Sequence, residues 1–536
     1  MARTEQSFDY IIVGGGTAGC VLASRISKAL PNVSLLVIER GVARDDRVTP
    51  ALGFAPGFGS DIETNLLSTP QPNFEGLAVS QTSGLILGGS SAVNYETWTR
   101  GASVDFDQWA EISGDRRWSW ERMLPYFKAN ETFIPSATQK SSQKGNRGLH
   151  GTDGPIKVSH PSTSGKPRDY PLRQDMARFH EALGAKLIPE NNAGSVIGYT
   201  EVAQSNYDGQ RQFAAKAYPF GPNVTVWAES EVHNIDIVER RASRITGIRY
   251  SGDGAANVEI ILSAGALFSP KLLMLSGIGL KEELDKHDIP AKVDLPVGKN
   301  LSDYPCVSTK WTVNKKDASI GVGPMVTKSC DWSAGPPMDW IAFHRAKDST
   351  LEAASKHLTA DEKKYYLSEG KAHWECFTMY GPFDTSERLI KIDPPVGESI
   401  VSVFNILVSP LPRGSVELSS SDPADPPVVD PALLASPADK EILYDAVRST
   451  TTAMKNLEDV AVAERVKQGG STLFHYSGTC AMGTVVDAEC RVRGVEGLRV
   501  VDASVFPMPL GAHYQAATYA LAEQVAEMIV GNVHNG

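Results

Sequence analysis

Cysteine is scarce in this chain and is never paired in sequence: Cys20, Cys306, Cys330, Cys376, Cys480 and Cys490 are spread over 536 residues. Without a CxxC spacing there is no signature of a zinc cluster or a dithiol redox pair, and the thiols read as reduced. Long apolar runs are missing too, since no window offers the ~18 uninterrupted apolar residues of a membrane-spanning helix. Positive charge is in deficit, with 52 Lys and Arg against 63 Asp and Glu and a formal net charge of −11. Neither nucleic acid nor an anionic membrane attracts such a surface, so neither is an expected partner. The stretch Met1 to Ser7 carries no apolar leader, and the expected location is cytoplasmic.

What is present describes a globular protein, 41% hydrophobic and 21% charged. The length exceeds what one hydrophobic core supports, which predicts two domains. The run Asp9 to Val13 is rich in strand formers and ends in Gly14-Gly15-Gly16-Thr17-Ala18-Gly19. A helical stretch from Cys20 to Ile26 follows, then a second strand from Val33 to Ile38 that closes on Glu39. This is a βαβ unit in which glycines let the backbone approach a pyrophosphate at a helix N-terminus, while Glu39 accepts hydrogen bonds from a ribose diol. The spacing therefore predicts a dinucleotide.

From Gly84 to Asn94 the chain is again rich in Gly and Ser. Small residues there permit close approach to a flat ring, and Asn94 can reach a ring heteroatom. Trp98, Trp109, Trp118 and Trp120 read as packing. Residues 129–147 are polar and read as a surface excursion. Strands are expected at Asn223 to Val226, around Val232, and at Ile235 to Val238, Ile245 to Tyr250 and Val258 to Ser263, with a helix through Lys271 to Leu275 ending at Ser276-Gly277. Residues 306–470 differ in texture. Strands at Ile400 to Val408 and Ser415 to Leu418, with helices at Asp361 to Ser368 and Ala438 to Lys455, predict a second domain built on an antiparallel sheet.

Near the C-terminus two histidines sit among small residues, in His475-Tyr476-Ser477-Gly478-Thr479-Cys480-Ala481-Met482-Gly483 and Gly511-Ala512-His513-Tyr514-Gln515. One could move a proton while the other binds the same oxygen, which is half of an alcohol-oxidation site; the other half is a redox cofactor. Residues Gln515 to Ile529 predict a helix that Gly531 stops.

Taken together, these stretches resemble the glucose-methanol-choline (GMC) oxidoreductases, flavoproteins that mostly oxidise alcohols. The resemblance rests on Gly14 to Gly19 with Glu39, Gly88 to Asn94, Gly265 to Gly279, Gly298 to Asp303, and His475 to Ala522. It implies an α/β plus α+β protein: a Rossmann-like FAD-binding domain from residues 1–150, 222–305 and 470–536, and a mainly antiparallel substrate-binding domain from 151–221 and 306–469. Gly14, Gly16, Gly19 and Glu39 would hold the pyrophosphate and adenosine ribose, Val232 the adenine through its backbone, and Thr17 and Ala18 would also bind the cofactor. Gly89 and Asn94 would lie near the flavin, Asp502 on its ribityl or pyrophosphate portion, and Ala503, His513 and Gln515 would also bind the cofactor. No histidine occupies Ala92-Val93-Asn94, where some members tether the flavin, so the FAD is expected to be non-covalent.

The resemblance further implies that His475 accepts the hydroxyl proton as the carbinol hydride passes to flavin N5, while His513 hydrogen-bonds the developing alkoxide. The helix after His513 would place its positive end toward a reduced flavin. The substrate would be a small alcohol, an aromatic one among the candidates, with oxygen or another acceptor taking the electrons. A non-redox lyase or cyclase retaining FAD, like the family's hydroxynitrile lyases, is the alternative. The chain departs from the family pattern at Leu85, where Arg or Lys is usual, and at Tyr476 and Tyr514, where proline is common; both phenols read as packing.

Overall fold

The computed structural model describes residues 6–44, 60–136, 148–236, 247–250, 253–313, 330–381, 383, 400–411, 414–454 and 462–535. Parts of four expected features lie outside them: the polar stretch at 137–147, the strand end at 237–238, the strand start at 245–246 and the helix end at Lys455.

Strand β1, Gln6–Val13, enters helix α1, Thr17–Ala29, and then strand β2, Leu35–Ile38, which pairs parallel to β1. This is the predicted βαβ unit, with the second strand starting two residues later than expected. On its other edge β1 pairs parallel with Asp253–Leu262, while Val224–Trp227 extends the sheet beyond β2 and Leu498–Val500 pairs with Asp253–Leu262. Val232–Asp236 and Gly247–Tyr250 complete it in antiparallel register. The central strands are apolar on both faces because both are covered, as parallel sheets require. Helix α1 lies on one face, together with the C-terminal helix Tyr514–Asn535.

A second sheet of six strands is antiparallel throughout. Its order is Gly470–Thr472, Pro305–Thr312, Ile400–Leu407, Trp374–Tyr380, Trp340–His344 and Gly198–Glu201. Side chains alternate across Trp374–Tyr380. Trp374 and Cys376 join the core formed with helix Pro437–Ala453, whereas Phe377 and Met379 join the core shared with the first sheet. The two sheets together give the mixed α/β architecture read from the sequence.

Two local expectations need correction. The strand expected at Ser415 to Leu418, found as Gly414–Glu417, does not enter the six-stranded sheet; it pairs with Lys299–Leu301 and Val428–Asp430 in a small sheet of its own. A short strand has no periodicity that names its partner. Gly531 does not stop the last helix, which continues to Asn535, since one glycine inside a helix costs only about 1 kcal/mol. Trp98, Trp109 and Trp118 are fully buried, and all six cysteines are buried and outside any disulfide. Among the described residues no helix is long and apolar enough to cross a membrane.

Candidate active site

A cavity of about 380 Å³ runs between the two sheets. At one end it is lined by the turn Gly14, Gly16, Thr17 and Ala18, by Glu39 at the end of β2, and by Val232. Helix α1 begins at Gly16 without a side-chain cap and without an acidic residue in its first turn. Its free N–H groups and positive end therefore suit an anion such as a pyrophosphate. Gly19 is the one expected contact that does not line the cavity. A Cβ added there would stand 2.0 Å from the Gly14 carbonyl oxygen, so this glycine lets the helix close onto its own turn.

Glu39 is buried and accepts N–H bonds from Gly15 at 2.9 Å and Gly41 at 2.7 Å. Burial raises its pKa, and these two donors oppose that rise. Each carboxylate oxygen keeps a second lone pair for a ligand hydroxyl.

Further along, Gly89, Asn94, Asp502, Ala503 and Gln515 line the cavity. Their polar groups are held in place by protein partners. Asn94 donates to Gln515 Oε1 at 3.1 Å, and its own oxygen accepts from the Glu96 N–H and from Arg211. Asp502 accepts from the Gly265 N–H at 2.9 Å, the Ser269 hydroxyl at 2.6 Å and the Ser504 N–H at 2.8 Å. It thus ties the Gly265 turn to the segment that leads toward His513.

The far end holds His475 and His513, their rings edge to face with centroids 4.9 Å apart. His475 lies parallel to Tyr304 at 4.9 Å, and Tyr514 meets its ring edge-on at 5.2 Å. Its backbone N–H donates to Asp303 Oδ1 at 2.9 Å. Burial, and next the proximity of His513, holds the His475 pKa well below the usual histidine value, so its imidazole is neutral. His513 Nε2 lies 2.9 Å from Glu375 Oε1, and the His513 N–H donates to the Thr99 hydroxyl at 2.7 Å. A carboxylate only accepts, so Nε2 of His513 carries a hydrogen.

Tyr476 and Tyr514 are both buried and both line the cavity. Tyr476 packs with Leu267, Leu301 and Val416, and Tyr514 accepts a bond from Ser477 at 3.3 Å. Leu85 is half-buried in the lining, beside the glycine-rich turn.

The family model for GMC oxidoreductase matches residues 8–306 and 410–522. The chain is a GMC oxidoreductase. GMC-type oxidoreductase acuG of Aspergillus aculeatus is 33% identical to it over 98% of this chain and 99% of that protein. Formate oxidase of Aspergillus oryzae superposes with a TM-score of 0.86 at 26% identity, over 100% of both chains. A fungal aryl-alcohol oxidase superposes with a TM-score of 0.78 at 25% identity, covering 99% of this chain and 100% of its own. FAD is the cofactor of these enzymes, and the capless helix, Glu39 and the small-residue lining of this GMC oxidoreductase fit it.

Sequence reasoning missed Glu375, Tyr304 and Thr99. Glu375 and Thr99 reach the histidines from segments that carry no motif, Tyr304 directly follows the Gly298 to Asp303 stretch, and in each case only the tertiary fold brings them near. Asp303 closes the Gly298 to Asp303 stretch, but nothing in that stretch shows which backbone it holds.

Proposed function

We propose that this GMC oxidoreductase oxidises an alcohol to a carbonyl compound, with His475 as the base. The observation that carries the reading is the edge-to-face histidine pair at one end of a cavity whose other end is the glycine turn and Glu39. FAD held there supplies the acceptor for the hydrogen and electron pair that leave the carbinol carbon. His475, neutral because it is buried, takes the hydroxyl proton as the C=O bond forms; general-base action of this kind is worth ~10² to 10⁴-fold in rate. Glu375, which takes the Nε2–H of His513, fixes that ring beside the oxygen on which the alkoxide develops. The helix starting at Tyr514 adds its positive end to the same region.

With this reading go a non-covalent FAD, since Ala92-Val93-Asn94 offers no histidine to tether it, and a division of labour along the chain. Residues 1–150, 222–305 and 470–536 hold the cofactor, and 151–221 with 306–469 hold the substrate.

The test is the visible spectrum of the purified yellow protein, recorded without oxygen before and after adding aliphatic, aromatic and sugar alcohols. Bleaching by one class supports the oxidation, and readmitting oxygen then separates an oxidase from an enzyme that needs another acceptor. A flavin that no alcohol bleaches would favour the non-redox lyase or cyclase chemistry instead. His475→Ala should keep its FAD and lose rapid bleaching; an unchanged rate would remove His475 from the reaction.

A further inference from the structure

The cavity end beside the histidines is walled by the antiparallel sheet, and that wall is apolar. Along Trp374–Tyr380 the odd-numbered residues share one face: Glu375 is bonded to His513, and Phe377 and Met379, which follow it on that face, line the cavity. Phe404 stands opposite Phe377 on the neighbouring strand, with the rings stacked at 4.7 Å and 18°, and Met338 adds a thioether beside them.

Charge is distributed unevenly along the cavity. Among the described residues, the Lys and Arg that line it are Arg40 and Lys271, and both belong to the Glu39 end. Arg40 lies over Phe268 at 4.2 Å and 3.7 Å from Glu231, and Lys271 donates to the Pro423 carbonyl at 2.7 Å. No cation of the lining stands with the aromatic wall, so a substrate carboxylate or phosphate has no counter-charge there, and burying one unpaired is costly. Two polar side chains of this lining are held by protein partners, Thr472 by Asp303 and Gln515 by Asn94 and the Thr97 carbonyl.

We propose that the substrate is an uncharged alcohol whose carbinol carbon carries a flat apolar ring, the ring packing against Phe377, Phe404, Met338 and Met379 while the hydroxyl meets His475 and His513. This rests on the alcohol-oxidation reading for the hydroxyl, but the ring subsite stands on the wall alone. Aromatic faces and thioethers favour such a ring over a saturated one of equal size.

The experiment uses the FAD-loaded protein and two readouts. The first is a titration with anisole, which has the ring but no hydroxyl to oxidise, followed through the shift of the visible flavin bands. Saturable perturbation is expected, weakened about tenfold in Phe377→Ala and less in Phe377→Leu. The second is kcat/KM for benzyl alcohol, cyclohexanemethanol, glucose and glycolate. Benzyl alcohol should lead cyclohexanemethanol by about tenfold and the other two by about 100-fold or more.

Absence of a saturable anisole signal, equal binding by wild type and both Phe377 variants, or faster turnover of glycolate, glucose or cyclohexanemethanol would overturn the proposal. Should anisole bind as expected while no alcohol bleaches the flavin, the ring subsite stands and the oxidation reading falls.

Discussion

Glu375 and His513 meet at 2.9 Å although 138 residues separate them, and the carboxylate is almost completely buried. A charge-assisted hydrogen bond of this kind is worth about 1.5–3 kcal/mol. Glu375→Gln keeps the shape and removes the charge. Anaerobic flavin reduction by the best alcohol should slow by about 10- to 100-fold, with the FAD spectrum of the resting protein unchanged. A reduction rate equal to wild type would show that the pair is structural only.

The low pKa of His475 fixes the sign of a pH effect. Burial favours the neutral ring, so the folded-state value lies well below 6.5, and the base is available over a range in which a free imidazole would already be protonated. Flavin reduction measured by stopped flow should stay level as the pH falls from 7 to 6, with the acid limb appearing below that. The same shift costs stability in acid, because the unfolded chain gains a proton on this residue before the folded one does. A rate that halves near pH 6.5 would contradict the assignment of His475 as base.

Asp303 accepts the N–H groups of Tyr304 at 2.8 Å and His475 at 2.9 Å, together with the Thr472 hydroxyl. Thr472 in turn accepts the N–H of Phe474, a non-glycine residue held at φ +63°. Burial pushes the Asp303 carboxyl up to about 7. Since the folded value lies above the unfolded one, ionisation costs stability as the pH rises from about 4 to 7. Asp303→Asn keeps the acceptor oxygen and should retain most activity while flattening that dependence. Asp303→Ala releases the His475 loop, and reduction should slow by about tenfold or more. The pair of melting curves against pH, with the two reduction rates, decides it.

Gly89 is a contact that a side chain would break. It holds φ +54°, and a Cβ there would lie 2.7 Å from Gly16 Cα. Gly89→Ala must push the Gly88 to Ala92 turn away from the glycine turn that opens helix α1, at a cost of about 1–3 kcal/mol. The variant should purify with at least about tenfold less FAD, read from the ratio of visible to protein absorbance. Full FAD content would show that the two turns can move apart freely.

What was legible in the sequence follows the range of each interaction. The glycine turn, helix α1 and Glu39 form within one βαβ unit, so their spacing alone announces a nucleotide site, and they line the cavity as that spacing implies. His475 and His513 were also legible, because each sits in a recognisable run of small residues. Glu375 was not. It is the one charged residue of its strand, and its meaning depends on a sheet that packs against a segment 138 residues away. The strand Gly414–Glu417 failed in the same way, since its partner at Lys299–Leu301 lies across more than a hundred residues.

The strand Trp374–Tyr380 is occupied on both sides, with Trp374 and Cys376 in the helical core and, on the opposite face, Glu375 against His513 and Phe377 and Met379 in the cavity wall. Deleting or inserting a single residue in it would exchange the two sets, sending a carboxylate into the oily layer under helix Pro437–Ala453 and an indole or a thiol toward the histidines. Evolution or design can therefore rewrite this strand letter by letter but cannot change its length. New chamber shapes have to come from substitutions at every second position.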